Sequence, residues 1–418
     1  MHLHLTVVVI SMIAFCSAAF AHTRADFEPR VRLNVEVPEQ HAGGEVYLAG
    51  NLNDWNPGDP RYRLRPAREQ TAREYFFELP LSAIPIGGLE FKFTKGSWAT
   101  VERNADLQDI SNRTLDRDSI PRPQDGTVSE IRLTVAAFAD ERAERSRPST
   151  IVGRLETFEF TSNILGNARV VRVWLPEAYA TETDRAFPVL YMHDGQNCFD
   201  EATSAFGDEW RIDETMTELI DSGDIEPMIV VGIDNSGAAR AAEYNASYTS
   251  FRGIQPYGEK YIAMLVDELM PEIQSKYRVR TGPEYTSLGG SSFGGNITLL
   301  AAMERPGVFG RLLIESPAVP VVGPKFLESI QQFGKGSRWT PETDDFVGRV
   351  FMAMGSAETG SETYNRQLVE LMDELREAFA GENHLIVVEE GAIHNERAWA
   401  RRFPDAARFL FGQPEAAE

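Results

Sequence analysis

From Ile151 onward, unbroken apolar runs alternate with amphipathic segments, and this alternation restricts the fold more than any other feature of the chain. The apolar runs have no regular polar alternation and read FPVLYMHD, MIVVGIDN, RLLIESP, VGRVFMAMGS and HLIVVEEG. The segments between them have helical periodicity, among them EWRIDETMTELID, GEKYIAMLVDELMPEIQSKY, GNITLLAAMER and YNRQLVELMDELREAF. Strands that are apolar on both faces and separated by helices indicate a mostly parallel sheet with helices on both sides. We therefore predict an α/β fold for residues 151–418.

The N-terminal part of the chain has a different pattern. Short alternating runs are separated by turn residues from about Arg30 to Ala137, and they read VRLNVEVP, GEVYLAG, EYFFELPL, LEFKFTKG and SEIRLTVAAF. This spacing predicts a small, antiparallel, all-β, immunoglobulin-like sandwich domain over residues 22–138. The charged segment at 139–150, ADERAERSRPST, has no strand signal and is predicted to be a linker or a bridging helix.

The first residues, MHLHLTVVVISMIAFCSAAFAHT, contain an apolar stretch too short to cross a bilayer comfortably. Ala19-Phe20-Ala21 matches the small-x-small pattern of a signal-peptide cleavage site. We predict a signal peptide over residues 1–21 and export to the periplasm or the medium, with an uncleaved anchor as the alternative. After cleavage, Cys198 is the remaining cysteine, so no intrachain disulfide is expected. No other apolar run approaches membrane-spanning length, so no further membrane span is expected.

Composition and motifs indicate which classes of partner and cofactor to expect. The 418 residues suit two or three domains, and 63 acidic against 41 basic residues give a net charge of −22. Such a chain would repel a phosphate backbone, so nucleic acid is not expected as a partner. The sequence has no H-E-x-x-H motif, histidine cluster, cysteine pair or glycine-rich phosphate loop, so we expect neither a metal nor a cofactor.

The stretch YTSLGGSSFGGNITLL contains one G-x-S-x-G motif, from Gly290 to Gly294, which selects Ser292 over Ser291. A nucleophile on a strained strand-to-helix turn needs small residues on both sides, and the following helix directs its first amides at a developing oxyanion. The motif follows a strand-like run and opens an apolar helix, which favours a nucleophilic Ser292. The alternative is a glycine-rich turn with two capping serines.

A serine nucleophile needs a base and an acid, which are expected in the chain order serine, acid, histidine. His394 lies just after the run HLIVVEEG, at the carboxyl end of a strand, where catalytic groups gather in open α/β sheets. His384 begins the same run, and His193 precedes the serine, so His394 is the predicted base. Glu358, four residues after the run ending at Met354, is the predicted acid, and a solvated loop carboxylate is its alternative.

The oxyanion of the tetrahedral intermediate needs at least two amide donors. One is the Phe293 amide, and the loop after FPVLYM provides a second at Gln196 or Gly195. A glycine in this loop allows the backbone to approach the substrate carbonyl. The alternative for the loop is a simple Asp-Gly β-turn.

Several spaced motifs together resemble a known family. PVLYMHDGQNCFD, EWRIDETMTELI, IVVGIDNSGAARAAEY, GGSSFGG and HNERAWARRFPDAARFLF are similar to the Putative esterase family of α/β-hydrolases over Ile151–Gly412. That family includes enterochelin esterases, feruloyl and acetyl-xylan esterases, S-formylglutathione hydrolases and mycolyltransferases. The resemblance implies an α/β-hydrolase fold and a triad of Ser292, Glu358 and His394, although many relatives have Asp as the acid. It also implies a substrate cleft, for which the candidates are Trp210, Arg240, Tyr244 and Asp194; helix packing for Trp210 and a surface loop for Arg240 and Tyr244 are the alternatives.

The N-terminal region resembles starch- and glycogen-binding modules through VYLAGNLNDWNPGD and LEFKFTKGSWATVE. The resemblance implies that Trp55 and Trp98 form a flat apolar platform for sugar rings. Packing of both tryptophans inside the sandwich, or a domain that caps the esterase cleft, are the alternatives.

The leading hypothesis is an exported serine ester hydrolase that acts through an acyl-enzyme. Its substrate is expected to be a small-molecule or polysaccharide-linked ester, such as a feruloyl or acetyl ester of a glycan or a siderophore-type lactone, with a glycan as a further binding partner. Two alternatives remain: an acyltransferase of the same fold, and a glycan-binding protein with a vestigial hydrolase domain.

Overall fold

The structure is a computed structural model that describes residues 28–67, 73–85, 87–105, 107, 109–120, 128–142, 148–205, 207–246, 255–335 and 348–412. The predicted signal peptide and its cleavage site lie outside the described residues, as does part of the predicted linker. Within the described residues, no helix is both long enough and apolar enough to cross a membrane.

The N-terminal part is an all-β region. Its strands in the described residues are β1 (Arg30–Glu36), β2 (Tyr47–Gly50), β3 (Arg65–Pro66), β4 (Glu74–Pro80), β5 (Leu89–Thr94), β6 (Glu102–Arg103), β7 (Arg113–Leu115), β8 (Ser129–Thr134) and β9 (Ala137–Phe138). They form one sheet of order β3-β4-β1-β8, a second of order β2-β5-β7 and the pair β6-β9.

Buried and partly exposed residues alternate along β1, which explains how the first two sheets pack against each other. Val31, Leu33 and Val35 of β1 are buried and share one apolar cluster with Leu48 of β2 and Phe91 of β5, so the two sheets pack through one face each. The expected all-β region is therefore present. Its purely antiparallel pairing is wrong, because β1 pairs with β8 in parallel. A parallel pair needs a long crossover, and β8 returns to β1 only after the intervening strands.

The α/β region is built on one eight-stranded sheet. Its strands are β10 (Arg154–Thr161), β11 (Ala168–Leu175), β12 (Val189–His193), β13 (Ile229–Ile233), β14 (Thr286–Ser291), β15 (Arg311–Glu315), β16 (Arg349–Gly355) and β17 (His384–Glu389). The order is β10-β11-β13-β12-β14-β15-β16-β17. The six strands from β13 to the β17 edge run parallel, whereas β10 and β11 are antiparallel to their neighbours. This confirms the predicted mostly parallel sheet.

Helices cover both faces of that sheet. They are α1 (Ala178–Thr181), α2 (Ile212–Asp221), α3 (Arg240–Glu243), α4 (Gly258–Ala263), α5 (Met270–Lys276), α6 (Phe293–Glu304), α7 (Val319–Val322), α8 (Pro324–Lys335), α9 (Glu362–Ala378) and α10 (Glu396–Phe411), with a π-helical stretch at Met264–Leu269. Successive residues of β12 point to opposite faces: Tyr191 joins the cluster beneath α6, and Met192 joins the one beneath α10. Apolar residues on both faces of a strand thus serve two cores.

Candidate active site

Ser292 lies between the end of β14 and the first residue of α6, in a strained conformation. Its φ of 56° and ψ of −123° are unusual for a residue with a side chain, which is what a nucleophile on a sharp strand-to-helix turn requires. The Ser292 amide donates to the Glu315 carbonyl at 2.9 Å, which ties the turn to the neighbouring strand β15. The side chain itself is half-buried.

The glycines around Ser292 are required by close packing. A Cβ on Gly290 would lie 3.0 Å from the Gly294 carbonyl carbon and 3.0 Å from Cδ2 of His193. A Cβ on Gly294 would lie 3.3 Å from Cβ of His193. The two glycines therefore let the turn pack closely onto itself and onto His193.

His394 and Glu358 are brought together by loops after β17 and β16. His394 Nδ1 is hydrogen-bonded to Glu358 Oε2, and the Glu358 side chain is 4% exposed against 26% for His394. Glu358 Oε1 also accepts a hydrogen bond from the Gly355 amide. Burial alone would raise the pKa of Glu358, but the charge and hydrogen bond of His394, with the Gly355 donor, hold this pKa below its ordinary value.

Two further residues support this pair and were not anticipated from the sequence. Ser316, just after β15, donates its hydroxyl to Glu358 Oε1 at 2.8 Å. Trp399 of α10 donates Nε1 to the Ser316 hydroxyl at 3.0 Å, and its ring meets the His394 ring edge-on at 5.2 Å between centroids. Ser316 at the carboxyl end of RLLIESP and the tryptophan in HNERAW were the available sequence signals. Together they fix both partners of the acid–histidine pair.

His193 and His384, the two other histidines considered as the base, lie at strand ends. Buried His193 contacts the Tyr261 hydroxyl through Nδ1 at 2.9 Å, and burial lowers its pKa to about 3, so it is neutral at pH 7. His384 is the first residue of β17, at the strand end opposite His394. His193 ends β12 at the same sheet edge as Ser292, but its ring is buried and hydrogen-bonded to Tyr261, whereas His384 lies at the opposite edge.

The predicted oxyanion turn follows β12. Asp194 has a left-handed conformation with φ of 57°, and Gly195–Asn197 form a short 3₁₀ turn. A Cβ on Gly195 would lie 2.4 Å from the Gly232 carbonyl carbon, so only glycine fits at this crossing with β13. The first amides of a helical turn have no acceptor within that turn. The Gln196 and Phe293 amides both occupy such positions, and their role as oxyanion donors stays a prediction.

An ion pair links this turn to the residue after Ser292. Arg240 donates Nε and Nη2 to the two Asp194 carboxylate oxygens at 2.8 and 2.7 Å, and Asn235 donates to the same carboxylate at 2.7 Å. The Arg240 guanidinium also lies 6.0 Å from the centre of the Phe293 ring. Burial alone would raise the pKa of Asp194, but Arg240 lowers it, so Asp194 is ionised and engaged within the protein.

The aromatic candidates for the substrate cleft are buried. Trp210 is 3% exposed and packs against Trp399 at 5.5 Å between ring centroids. Tyr244 is fully buried, lies 4.9 Å from Tyr261, and has a pKa raised by burial. Of the four candidates, Arg240 offers the most exposed side chain, at 27%. Substrate contact by any of the four stays a prediction.

The N-terminal region contacts the α/β region near the loop that carries Glu358. Trp55 and Trp98 are partly exposed, with ring centroids 6.2 Å apart, and Trp55 packs against the apolar cluster of the α/β region. A Cβ on Gly360 would lie 3.1 Å from Oγ1 of Thr114 in β7. Trp55 is therefore partly used in packing between the regions, and glycan binding by these tryptophans stays a prediction.

Buried charges join the same two regions beside α10. Arg103 Nη1 lies 3.3 Å from Asp109 Oδ1 and 4.0 Å from Asp208 Oδ2, while Lys92 lies 2.8 Å from Asp109. Arg397 of α10 reaches the other Asp208 oxygen at 2.9 Å. Arg103 is almost fully buried, so its ion pair with Asp208, which joins the two regions, is shielded from water. Removing one partner of such a pair leaves an uncompensated buried charge and lowers the stability.

Glu396, at the start of α10, connects this network to the candidate site. Its Oε1 accepts a hydrogen bond from Asn197 Nδ2 at 3.1 Å. Asn197 follows Gln196, and Glu396 follows His394 by two residues, so one buried carboxyl joins the two loops. Burial and the nearby negative charge of Asp109 raise the pKa of Glu396 to about 8.

Glu396→Gln is expected to make stability less dependent on pH. Since the folded-state pKa is above the ordinary value of 4.5, the stability that Glu396 contributes is present at pH 4.5 and is lost as pH rises to about 8. Glutamine keeps the acceptor for Asn197 and does not titrate. The unfolding free energy of the variant relative to the parent should therefore rise by about 1 to 3 kcal/mol between pH 5 and pH 9 in urea titrations. Exposed Glu390→Gln is the control; an equal rise there would contradict the assignment.

Residues 162–410 match the family described as Putative esterase. The chain belongs to this esterase family. The match covers more than half of the 418 residues and extends from the loop before β11 into α10. The esterase therefore has the α/β-hydrolase fold, and its family activity is carboxylic ester hydrolysis.

Individual relatives of the esterase are distant. YbbA of Bacillus subtilis (strain 168), described as an uncharacterized protein, is 24% identical over 254 residues, which are 59% of this chain and 94% of YbbA. An endo-1,4-beta-xylanase/feruloyl esterase of Xylanibacter ruminicola is 27% identical over 165 residues, 38% of this chain and 21% of the relative. Among solved structures, the enterobactin esterase FES from Shigella flexneri has a TM-score of 0.48 at 15% identity, with coverage of 91% of this chain and 92% of FES.

Proposed function

We propose that the esterase is an exported serine hydrolase in which Ser292 is the nucleophile, His394 the base and Glu358 the orienting acid. The observation that carries the proposal is the hydrogen bond between His394 Nδ1 and the buried Glu358 carboxylate. Ser292, Glu358 and His394 follow β14, β16 and β17, whose carboxyl ends share one sheet edge. Export rests on the sequence pattern of residues 1–21, and the domain boundaries at 138 and 151 belong to the same proposal.

The first half of the reaction transfers the acyl group to the protein. With Nδ1–H directed to Glu358, His394 has a free Nε2 lone pair that accepts the Ser292 hydroxyl proton as Oγ attacks the ester carbonyl. The tetrahedral oxyanion accepts hydrogen bonds from the amides of Phe293 and of Gln196 or Gly195. His394 then gives its proton to the leaving alcohol, which departs and leaves an ester on Ser292.

The second half repeats these steps with water. His394 takes a proton from the water as its oxygen attacks the acyl carbon, and it returns that proton to Ser292 Oγ as the carboxylic acid leaves. The buried Glu358 carboxylate stabilises the imidazolium in both halves without taking its proton.

A covalent probe tests this mechanism. We expect a fluorophosphonate to add one phosphonyl group per chain, with loss of fluoride. Tandem mass spectrometry of the tryptic peptide Thr281–Arg311 should locate the adduct on Ser292 rather than Ser291. An adduct on any other residue, or stoichiometric activity without an adduct, would argue against the proposed nucleophile.

Aromatic acyl esters of glycans are the substrate class we favour, because one sequence relative is described as a feruloyl esterase. A panel of methyl ferulate, acetylated xylan and a siderophore trilactone would rank the three candidate classes. Product analysis with an added alcohol acceptor separates hydrolysis from acyl transfer. Polysaccharide binding without turnover of any ester would favour a vestigial hydrolase domain.

A further inference from the structure

Three carboxylates converge where α2 begins, among groups that the proposed mechanism does not use. Glu209, Asp213 and Glu214 each offer a carboxylate oxygen within 4.8 Å of those of the other two. Glu209 is 4% exposed and Asp213 is fully buried. The set therefore differs from an ordinary acidic surface patch, in which water separates the charges.

Each of these side chains uses one oxygen and leaves the other without a partner. Thr150 Oγ1 donates to Glu209 Oε1, the Val152 amide donates to Asp213 Oδ2 at 2.6 Å, and Arg211 Nε lies 3.4 Å from Glu214 Oε1. The second oxygens, Glu209 Oε2, Asp213 Oδ1 and Glu214 Oε2, are buried and have no donor from another part of the described chain. A buried carboxylate oxygen without a donor costs several kcal/mol in general. Burial, together with the neighbouring Glu214 carboxylate, raises the pKa of Asp213 to about 8, so either a proton shared between Asp213 and Glu214 or a bound cation offsets this cost.

The surroundings supply more negative charge than positive charge. Asp200 and Glu201 add to the field on Glu209. Arg211 is 65% exposed and reaches only the outer oxygen of Glu214. Within the part of the chain that the structure describes, the unpaired oxygens of the three carboxylates accept no hydrogen bond from a basic side chain.

We propose that Glu209, Asp213 and Glu214 bind a calcium-type divalent cation, each through one carboxylate oxygen. Oxygens that share one Ca²⁺ at 2.3–2.6 Å lie at most about 5 Å apart, and one oxygen of each of the three side chains satisfies this limit. An all-carboxylate set without histidine or cysteine selects a hard cation, and water completes its coordination. The consequence is structural: the same side chains hold Thr150 and Val152, so the cation fastens the end of the linker to the start of α2.

Thermal unfolding of the full chain after EDTA treatment tests the site. At constant ionic strength and pH 7.5, CaCl₂ at about 100 times its Kd is expected to raise the unfolding temperature by roughly 5 °C, with a smaller rise for MgCl₂. Isothermal titration calorimetry should give one Ca²⁺ per chain. Asp213→Asn keeps the acceptor for the Val152 amide but removes the ligand charge, so it should lose the calcium response while unfolding at or above the temperature of the calcium-free parent.

Controls separate a bound ion from other effects. Glu218→Gln removes an exposed carboxylate from the same helix and should keep the full calcium response. Glu214→Gln should weaken the response, and it replaces Asp213→Asn if that variant does not fold. The proposal is overturned if calcium produces neither a shift in unfolding temperature nor binding heat in the parent, because a shared proton then neutralises the cluster. It is also overturned if Glu218→Gln loses the calcium response to the same extent as Asp213→Asn. Unfolding temperature and binding heat do not depend on ester turnover, so this test is independent of whether the proposed esterase mechanism is correct.

Discussion

Replacing Ser292 with alanine is expected to lower kcat for a 4-nitrophenyl ester by about 10⁴- to 10⁶-fold. Without Oγ no acyl-enzyme forms, and only the oxyanion donors and substrate binding remain to accelerate attack by water. The φ of 56° at position 292 is as unfavourable for alanine as for serine, so the fold should survive unchanged. Initial rates, read beside the circular dichroism spectrum and unfolding temperature, measure the effect.

Ser291→Ala is the matched control for this variant. Ser291 is the last residue of β14 and is buried, one position before the turn. Its removal should change kcat by less than about fivefold, because an ordinary strand residue cannot present its hydroxyl at the turn. If the two variants had similar rates, or if Ser291→Ala lost the activity instead, the register chosen from the glycine spacing would be wrong.

Much of the α/β region could be predicted because its strands are apolar on both faces. β12 and β13 are buried at every position, which is the pattern of a covered parallel sheet. β10 and β11 escaped the sequence analysis, since their alternating, half-exposed patterns resemble the N-terminal strands more than the central ones. The parallel pairing of β1 with β8 was missed for another reason: strand pairing between distant segments depends on tertiary packing, which alternation does not encode.

In the candidate site too, some features could be predicted from local sequence and others could not. Ser292 follows from local spacing and His394 from its position after a strand, and both signals are contained in a few adjacent residues. The contacts of Ser316 and Trp399 with the acid–histidine pair join segments that are far apart in sequence, 83 residues in the case of their hydrogen bond. Sequence patterns identify the chemical type of such residues but not their contacts.

The cluster of Glu209, Asp213 and Glu214 could not be identified from the sequence for a different reason. The sequence analysis sought histidines and cysteines at metal-binding spacings and expected no metal. Glu209, Asp213 and Glu214 have the ordinary spacing of charged residues on a helix surface, and what distinguishes them is burial and unpaired oxygens. Two of the three carboxylates also accept hydrogen bonds from Thr150 and Val152, about 60 positions away in sequence, and local spacing does not encode such contacts.

Glu358→Gln is expected to lower kcat by about 10³- to 10⁴-fold with little change in KM. The glutamine amide can donate to His394 Nδ1, which favours the tautomer with its proton on Nε2, and that tautomer cannot accept the Ser292 proton. Glutamine also lacks the negative charge that stabilises the imidazolium in both halves of the reaction. Since Glu358 acts on the histidine and not on the substrate, a large KM effect is not expected.

The Glu358 experiment needs controls for charge and for fold. Glu362→Gln removes an exposed carboxylate four residues away, at the start of α9, and should leave kcat within about twofold. Glu358→Asp keeps the charge on a shorter side chain and should recover part of the lost rate, which a purely structural role for Glu358 would not predict. Near-parental activity of a folded Glu358→Gln would mean that another group orients His394. Ser316, which donates to Glu358 and accepts from Trp399, would then be holding a carboxylate with no part in the reaction.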